Sequence, residues 1–396
     1  MVPSKKIVVV SHSSYFAGAE ICLVETVNAL VNYLQYKVCV VIPGKKDSHL
    51  EKELIKVGAT IHLGLPNPRW VDSKITISEK LKRLKDSVNV FRNFYRFLKK
   101  EQPDYVITNS VVSNPAFAFA AKKLNIKHAW YIHELGDLDH EYNYFLGKAT
   151  TFRIINYLSA KLFFNSYFTL NHFIQDQQIN PVKHKVIDYV IDQERFKQQI
   201  PEIDAANAFK QQEKIDTWQI LVAGRTVSGK GQEDIIKALG ILKNNYQLSN
   251  FHLCLVGQTD GSYNDKLMAL TRDNDLVEKI SFIKQTTNPA VYFQNAHIGV
   301  TTSRNEAFGR ITVEYMKNNL ITIGAAAGAT GEIISNMGNG FLYDVKDCEM
   351  LADILSKIIN REIDSNTVLI NAKKTVEKRF NYNTHANAFK TFLFNN

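Results

Sequence analysis

Two glutamates, Glu306 and Glu314, bracket a glycine in the run Ser303-Arg304-Asn305-Glu306-Ala307-Phe308-Gly309-Arg310-Ile311-Thr312-Val313-Glu314-Tyr315-Met316. An apolar run, Ala296 to Val300, precedes them and predicts a buried strand, while Ile311, Tyr315 and Met316 share one side of a helix-period pattern that follows. Gly309 therefore falls at a strand-to-helix turn, where free backbone N–H groups and the helix dipole attract an anion. A carboxylate aimed at that anion would repel it, so each glutamate is expected to reach past it to hydroxyl groups. If the whole segment were helical, the carboxylates would stand about 12 Å apart along the axis. That is too far for a close acid/base dyad. It suits a long ligand with hydroxyls at both ends and a diphosphate between, which is the shape of a nucleotide sugar.

A second cluster lies upstream, in Gly224-Arg225-Thr226-Val227-Ser228-Gly229-Lys230-Gly231. The spacing matches G-x-x-x-x-G-K, but a phosphate-binding P-loop needs Ser or Thr next, to place a hydroxyl on magnesium. Gly231 stands there, and the apolar run Leu253 to Val256 ends in Gly257 rather than Asp. A nucleotide-hydrolysing P-loop fits poorly. Arg225 and Lys230 could instead grip a diphosphate as two fixed cations and stabilise the charge that develops as a nucleoside diphosphate leaves. They could equally be two solvated cations at a turn.

Both clusters need strands and helices to hold them. Ile7 to Val10 is a continuous apolar run of the kind buried on both faces, followed by the polar loop Ser11 to Ser14, by Ala17-Gly18-Ala19-Glu20, and by a helix pattern through Leu30. Strands are predicted at Lys37–Ile42, Tyr105–Thr108, His128–Ile132 and Ala160–Phe164, with an Ala-rich helix from Pro115 to Leu124. The design restarts at Gln219 to Ala223, with a helix at Glu233–Leu242 and strands at His252–Val256, Ile280–Ile283, Ala296–Val300 and Leu320–Ile323. Strands alternating with helices predict parallel sheets, which bind ligands at the carboxyl ends of their strands. Polar sequence from Asp192 to Thr217 is the expected linker between two Rossmann-like domains that meet at a cleft.

Composition narrows the partners. The 396 residues suffice for two domains, and 45% hydrophobic with 22% charged residues is ordinary for a globular protein. No apolar stretch approaches the roughly 20 residues that span a bilayer, and Ile7–Val10 is too short for a signal-peptide core, so the cytoplasm is the expected compartment. The four cysteines, Cys22, Cys39, Cys254 and Cys348, are scattered and read as structural thiols. A net charge of +9 calls for an anionic partner. No nucleic-acid recognition module accompanies the charge, so nucleic acid is not expected. The stretch Glu79 to Glu101, from Lys80 to Lys100 rich in Lys and Arg among Leu, Phe and Tyr, reads either as a solvated helix with one buried face or as a helix that docks on anionic lipid.

Together these residues resemble the retaining glycosyltransferases of family 4, glycosyl transferases group 1. The Gly-Arg…Lys-Gly turn and the later Glu-x7-Glu carry the likeness. Gly328-Ala329-Thr330-Gly331-Glu332-Ile333-Ile334 is similar to the family's glycine-rich loop, and Asn339-Gly340-Phe341-Leu342 to a turn after it. Ala17-Gly18-Ala19-Glu20, the run Pro103 to Ser110, and Tyr131-Ile132-His133-Glu134 extend it through the first half.

The resemblance implies an α/β GT-B fold: an acceptor-binding domain at 1–195, a linker at 196–217, a nucleotide-sugar domain at 218–380, and a helix at 381–396 crossing back. It implies Glu306 at the donor sugar's hydroxyls near the reacting carbon, Glu314 on the ribose, and Arg225 and Lys230 on the diphosphate. Backbone amides of Phe308, Gly309 and Arg310 would help, His133 would lie near the donor sugar, and Gly18 would let a loop approach the phosphates. Lys284 borders the nucleobase where many members carry Gly, His297 replaces a usual Asp, Asn319-Leu320 replaces a Gly-x-Pro-Val run, and Ala17 replaces a Gly. The implied chemistry is retaining transfer of a hexosyl or N-acetylhexosaminyl group from a UDP-sugar to a glycan or lipid-linked acceptor, with no metal or other cofactor. The work would be surface polysaccharide or glycolipid synthesis, on the inner face of the cell membrane if the basic helix docks there. A non-catalytic nucleotide-sugar-binding partner of another transferase would carry the same motifs.

Overall fold

The computed structural model describes residues 4–16, 18–44, 47–72, 76–138, 143–175, 177–192, 215–258, 261–284, 286 and 290–394. Ala17 and most of the expected linker lie outside the described residues. The chain divides into two compact units, one of Met1–Val190 with Phe380–Asn396, the other of Ile191–Arg379.

The first unit is built on a seven-stranded sheet in the order β3-β2-β1-β5-β6-β8-β9. Its strands are β1 (Lys6–Val10), β2 (Lys37–Ile42), β3 (Thr60–Leu63), β5 (Tyr105–Asn109), β6 (Lys127–Ile132), β8 (Lys161–Phe164) and β9 (His184–Val186). Every pairing in it is parallel, with Ile7 beside both Val38 and Tyr105. Ile7 to Val10 are at most 2% exposed, as an apolar run covered on both faces must be. Two short strands, β4 (Val71–Asp72) and β7 (Asn143–Tyr144), form a separate antiparallel ribbon.

The helix Tyr382–Phe394 belongs to this unit. Phe389 packs at a tilt against Phe163 at 4.5 Å between centroids and meets Tyr131 at 5.7 Å. His385 lies 3.1 Å from the Thr26 hydroxyl through Nε2 and 2.7 Å from the Asp188 carbonyl through Nδ1. Residues from the far end of the chain thus cover strands β6 and β8.

The helix Ile77–Glu101 starts at a capping box in which Thr76 and Glu79 exchange backbone hydrogen bonds. Val90, Phe94 and Leu98 are fully buried, and Phe91, Tyr95 and Phe97 pack against the same core. Of the two readings of this helix, these aromatic residues follow the one with a buried face: they serve the unit's own interior. Among the described residues of this helix, Leu81, Leu84 and Val88, nearer its start, are exposed apolar side chains. Among the described residues no helix is long and apolar enough to cross a membrane.

The second unit has a six-stranded sheet in the order β12-β11-β10-β13-β14-β15. Its strands are β10 (Trp218–Ala223), β11 (Phe251–Gln258), β12 (Ile280–Lys284), β13 (Ile298–Thr301), β14 (Ile321–Ala325) and β15 (Phe341–Tyr343), all parallel. Sequence order reverses between β10 and β13, so the loops after these two strands diverge and leave a crevice at their carboxyl ends. Cys22 and Cys39 are buried, whereas Cys254 and Cys348 are half-buried, and none of the four is in a disulfide. His297 is structural: its Nδ1 accepts a hydrogen bond from the Gln219 N–H at 2.9 Å and ties the start of β13 to β10.

Candidate functional site

The second unit gathers most of the expected residues at its topological switch point. The loop after β10 carries Arg225 and Lys230, and the loop after β13 carries Glu306, Phe308 and Gly309. Two hydrogen bonds zip these loops together: Thr302 Oγ1 donates to the Lys230 carbonyl at 2.7 Å, and Arg304 N–H to the Gly229 carbonyl at 2.9 Å. The loop after β14 joins them where Ala329 N–H donates to the Glu306 carbonyl at 2.8 Å. Gly328 makes that approach possible. A Cβ there would stand 2.4 Å from the Glu306 carbonyl oxygen, and its φ of +57° is itself costly for other residues.

Across the zipped loops Lys230 Nζ lies 2.7 Å from Glu306 Oε2, with the two side chains 31% and 15% exposed. Gly309, at φ 94°, ends the loop and starts the helix Arg310–Lys317. Glu306 is thus on the loop and Glu314 on the helix, where Glu314 Oε1 is 3.7 Å from Arg310 Nη2. Each carboxylate has a cation beside it. This answers the repulsion that two glutamates would otherwise offer to a phosphate at the helix start. Phe308 is buried, with 4% exposure, while Arg225 is exposed and Lys284 ends β12 in an exposed position.

A buried ion pair supports this arrangement from below. Arg304 binds both oxygens of Asp234, with Nη2 2.6 Å from Oδ1, and its Nη2 also reaches Glu233 at 3.2 Å. Asp234, at 1% exposure, further accepts from the Tyr343 hydroxyl and the Lys346 N–H, each at 3.3 Å. Burial works against the charged guanidinium, but Asp234 more than offsets it and holds the Arg304 pKa above its ordinary value. Arg304 precedes Glu306 by two residues, so its fixed side chain pins the loop that presents the carboxylate.

The first unit holds Gly18 and His133. Gly18 opens the helix Gly18–Asn28. His133 follows β6 and is 5% exposed, with both ring nitrogens engaged. Nε2 lies 2.6 Å from Asn109 Oδ1 and so carries the proton, leaving Nδ1 to accept from the Tyr189 hydroxyl. Asn165 Nδ2 donates both to the Tyr189 hydroxyl at 3.0 Å and to the His133 carbonyl at 2.8 Å. Burial first, then the nearby His12 and His385, push the His133 pKa down to about 3. The ring is a neutral, fully hydrogen-bonded member of a buried network, which suits positioning better than proton transfer.

A model of the family described as Glycosyl transferases group 1 matches residues 204–376, and one described as Glycosyltransferase Family 4 matches residues 16–195. The chain belongs to the family 4 glycosyltransferases. It is 25% identical over 168 residues to the capsular polysaccharide biosynthesis glycosyltransferase CapM of Staphylococcus aureus, covering 42% of this chain and 43% of that one. It is 26% identical over 145 residues to the D-inositol 3-phosphate glycosyltransferase of Paenarthrobacter aurescens, covering 36% of each. The matches thus span less than half the length of these curated relatives. Among solved structures, Anabaena HepE in complex with UDP and glucose superposes with a TM-score of 0.75 at 20% identity, over 99% of this chain and 100% of that one. At that identity the likeness establishes the GT-B fold.

Within this family 4 glycosyltransferase, several supporting residues had no signal in the sequence. Asp234 and Arg304 lie 70 residues apart, and Tyr189 lies 56 from His133. Only contact in the fold connects them.

Four buried histidines of the first unit share depressed pKa values, all through burial first: His12 and His385 at about 4, His128 and His133 at about 3. Between those values and the unfolded value near 6.5, the unfolded chain binds more protons than the folded one, so stability falls as pH falls. Each group contributes up to about 1.4 kcal/mol per pH unit across that window. Calorimetry should show the first unit's melting temperature dropping between pH 7 and pH 5. A flat profile over that range would refute the neutral network.

Proposed function

We propose that this protein is a retaining glycosyltransferase that moves a hexosyl or N-acetylhexosaminyl group from a UDP-sugar to a glycan or lipid-linked acceptor, in surface polysaccharide or glycolipid synthesis. The observation that carries the reading is the Lys230–Glu306 pair at the switch point of the second sheet, beside the helix start at Gly309. A diphosphate placed there would meet Lys230, Arg225 and the backbone amides of Phe308, Gly309 and Arg310. As the bond to the anomeric carbon breaks, negative charge grows on the leaving phosphate, and fixed cations and N–H groups stabilise it most at that moment. Glu306 would bind sugar hydroxyls near the reacting carbon, and Glu314 the ribose. The leaving phosphate would take the acceptor's proton, since His133 has no free nitrogen for it; His133 then keeps the wall of the first unit in shape.

The name of HepE with UDP and glucose supports a UDP-sugar donor, and that of CapM supports a part in polysaccharide biosynthesis. Exposed Leu81, Leu84 and Val88, set among Lys82, Lys85 and Arg92, support peripheral docking on an anionic membrane face.

The test combines binding with stereochemistry. UDP-glucose and UDP should raise the melting temperature, and transfer to membrane-extracted polyprenyl-linked glycans should give an α-linked product by NMR. A β-linked product would overturn retention, and binding without any transfer would make the protein a nucleotide-sugar-binding partner.

A further inference from the structure

The chain leaves the first unit at Val190 and enters the second at Ile191. Such a passage is commonly an exposed, pliable linker. Here Tyr189, Val190 and Ile191 are all buried, and the chain is held at almost every step. Ile187 N–H donates to the Phe164 carbonyl at 2.8 Å, and the Ile187 carbonyl accepts from the Tyr131 hydroxyl at 3.3 Å. The Asp188 carbonyl meets His385 Nδ1 at 2.7 Å, and the Tyr189 hydroxyl donates to His133 Nδ1. These holds all lie within the first unit. The next one belongs to the second: Lys317 Nζ donates to the Ile191 carbonyl.

Lys317 is the last residue of the helix Arg310–Lys317. A cation in that position often serves the helix's own last carbonyls. Other groups do that work here. Asn318 gives both its backbone N–H, at 3.1 Å, and its side-chain amide, at 2.8 Å, to the Glu314 carbonyl, and Leu320 N–H donates to the Tyr315 carbonyl at 3.1 Å. Lys317 instead reaches a residue 126 positions earlier. The helix has eight residues, so it is a hydrogen-bonded rod about 12 Å long. At one end stand the Gly309 and Arg310 amides proposed for the diphosphate, and at the other the grip on Ile191. Only Val190 lies between that grip and the Tyr189 anchor. Peptide planes do not bend, and each residue has two soft dihedrals, so there is no slack to absorb a shift of Ile191. The shift must reach Tyr189 or break a hydrogen bond.

We infer that Lys317 is a positioning residue, which ties the setting of His133 to the occupancy of the helix start at Gly309 through Ile191 and Tyr189. The inference rests on the glycosyltransferase reading and deepens it by naming the link through which a bound diphosphate acts on the first unit. The part of Lys317 is to hold main chain, and its effect on the reaction passes through His133.

NMR of the full chain carrying nitrogen-15 histidine tests this, with UDP as the probe. The His133 Nε2–H, buried 2.6 Å from Asn109 Oδ1, should give a slowly exchanging signal, identified by its loss in His133→Gln. UDP added to saturation should move that signal in the native protein. In Lys317→Met, also saturated with UDP, the movement should shrink by about half or more. Lys317→Arg, which can still donate to the Ile191 carbonyl, should restore it. Tyr189→Phe cuts the same link at its other end and should give the same loss, so the test stands even if Lys317→Met does not fold. Full movement in either variant would show that UDP reaches His133 by another route and would overturn the link. A signal that stays still in native protein with UDP bound would overturn it too, leaving the donor assignment in place. Failure of UDP to bind the native protein would strike the glycosyltransferase reading, and the link with it.

Discussion

Replacing Lys230 with alanine is expected to lower turnover about 100- to 1,000-fold, the usual cost of removing one group that stabilises developing negative charge. The loss has two sources. The diphosphate forfeits a cation, and Glu306, having lost the lysine 2.7 Å away, turns a less compensated carboxylate toward the anion. A double-mutant cycle separates them. UDP should bind more weakly to Lys230→Ala than to Lys230→Ala combined with Glu306→Ala, because the second change removes the stranded charge. Turnover should not recover in the double variant, since Glu306 is also assigned to the sugar. Isothermal titration with UDP reads the first comparison and initial rates the second. Because the pair is partly exposed, folding stability should change by no more than about 1 kcal/mol. If UDP affinity were equal in all four proteins, Lys230 would have no place in the donor site.

The largest expected effect on stability comes from Arg304→Met. It leaves Asp234, 1% exposed, with only the Tyr343 hydroxyl and the Lys346 N–H around its charge. Breaking a buried pair from one side costs about 3–5 kcal/mol. Changing both partners, as Arg304→Met with Asp234→Leu, removes the stranded charge and should recover much of that loss. Urea unfolding followed by fluorescence in a background with Trp70→Phe and Trp130→Phe leaves Trp218, the one tryptophan of the second unit, as the reporter and gives the comparison without mixing in the first. A single variant as stable as the native protein would show that Asp234 is protonated or solvated without Arg304. Because Arg304 shares its loop with Glu306, activity should fall as well, at temperatures where the unit is still folded.

The parallel sheets were legible because strands buried on both faces are unbroken apolar runs, as in Ile7–Val10 and Val38–Ile42. Gly309 was legible for a similar reason: few residues accept a φ of 94°, so glycine before a helix pattern marks the turn. What Glu306 and His133 touch was not legible. Glu306 was expected to face only a ligand, yet it meets a lysine 76 positions earlier. His133 was placed near the donor sugar by the resemblance alone, and nothing in the sequence tells that Asn109 and Tyr189 engage both its nitrogens. The ribbon of β4 and β7 has two residues per strand, too few for any alternation to register. The basic helix was visible by charge, but which of its apolar residues faced inward depended on a core formed by strands elsewhere.

The helix Tyr382–Phe394 fixes an order of assembly during translation. The second unit is one uninterrupted stretch, 191–379, and is complete when its last residue leaves the ribosome. The first unit must wait for Phe389 and His385, although its strand β9 was finished at Val186. At about 5–20 residues per second, the roughly 200 intervening residues take about 10–40 s to make. Throughout that interval Tyr131 and Phe163 lack the Phe389 contact. The unit made first is therefore the one that closes last.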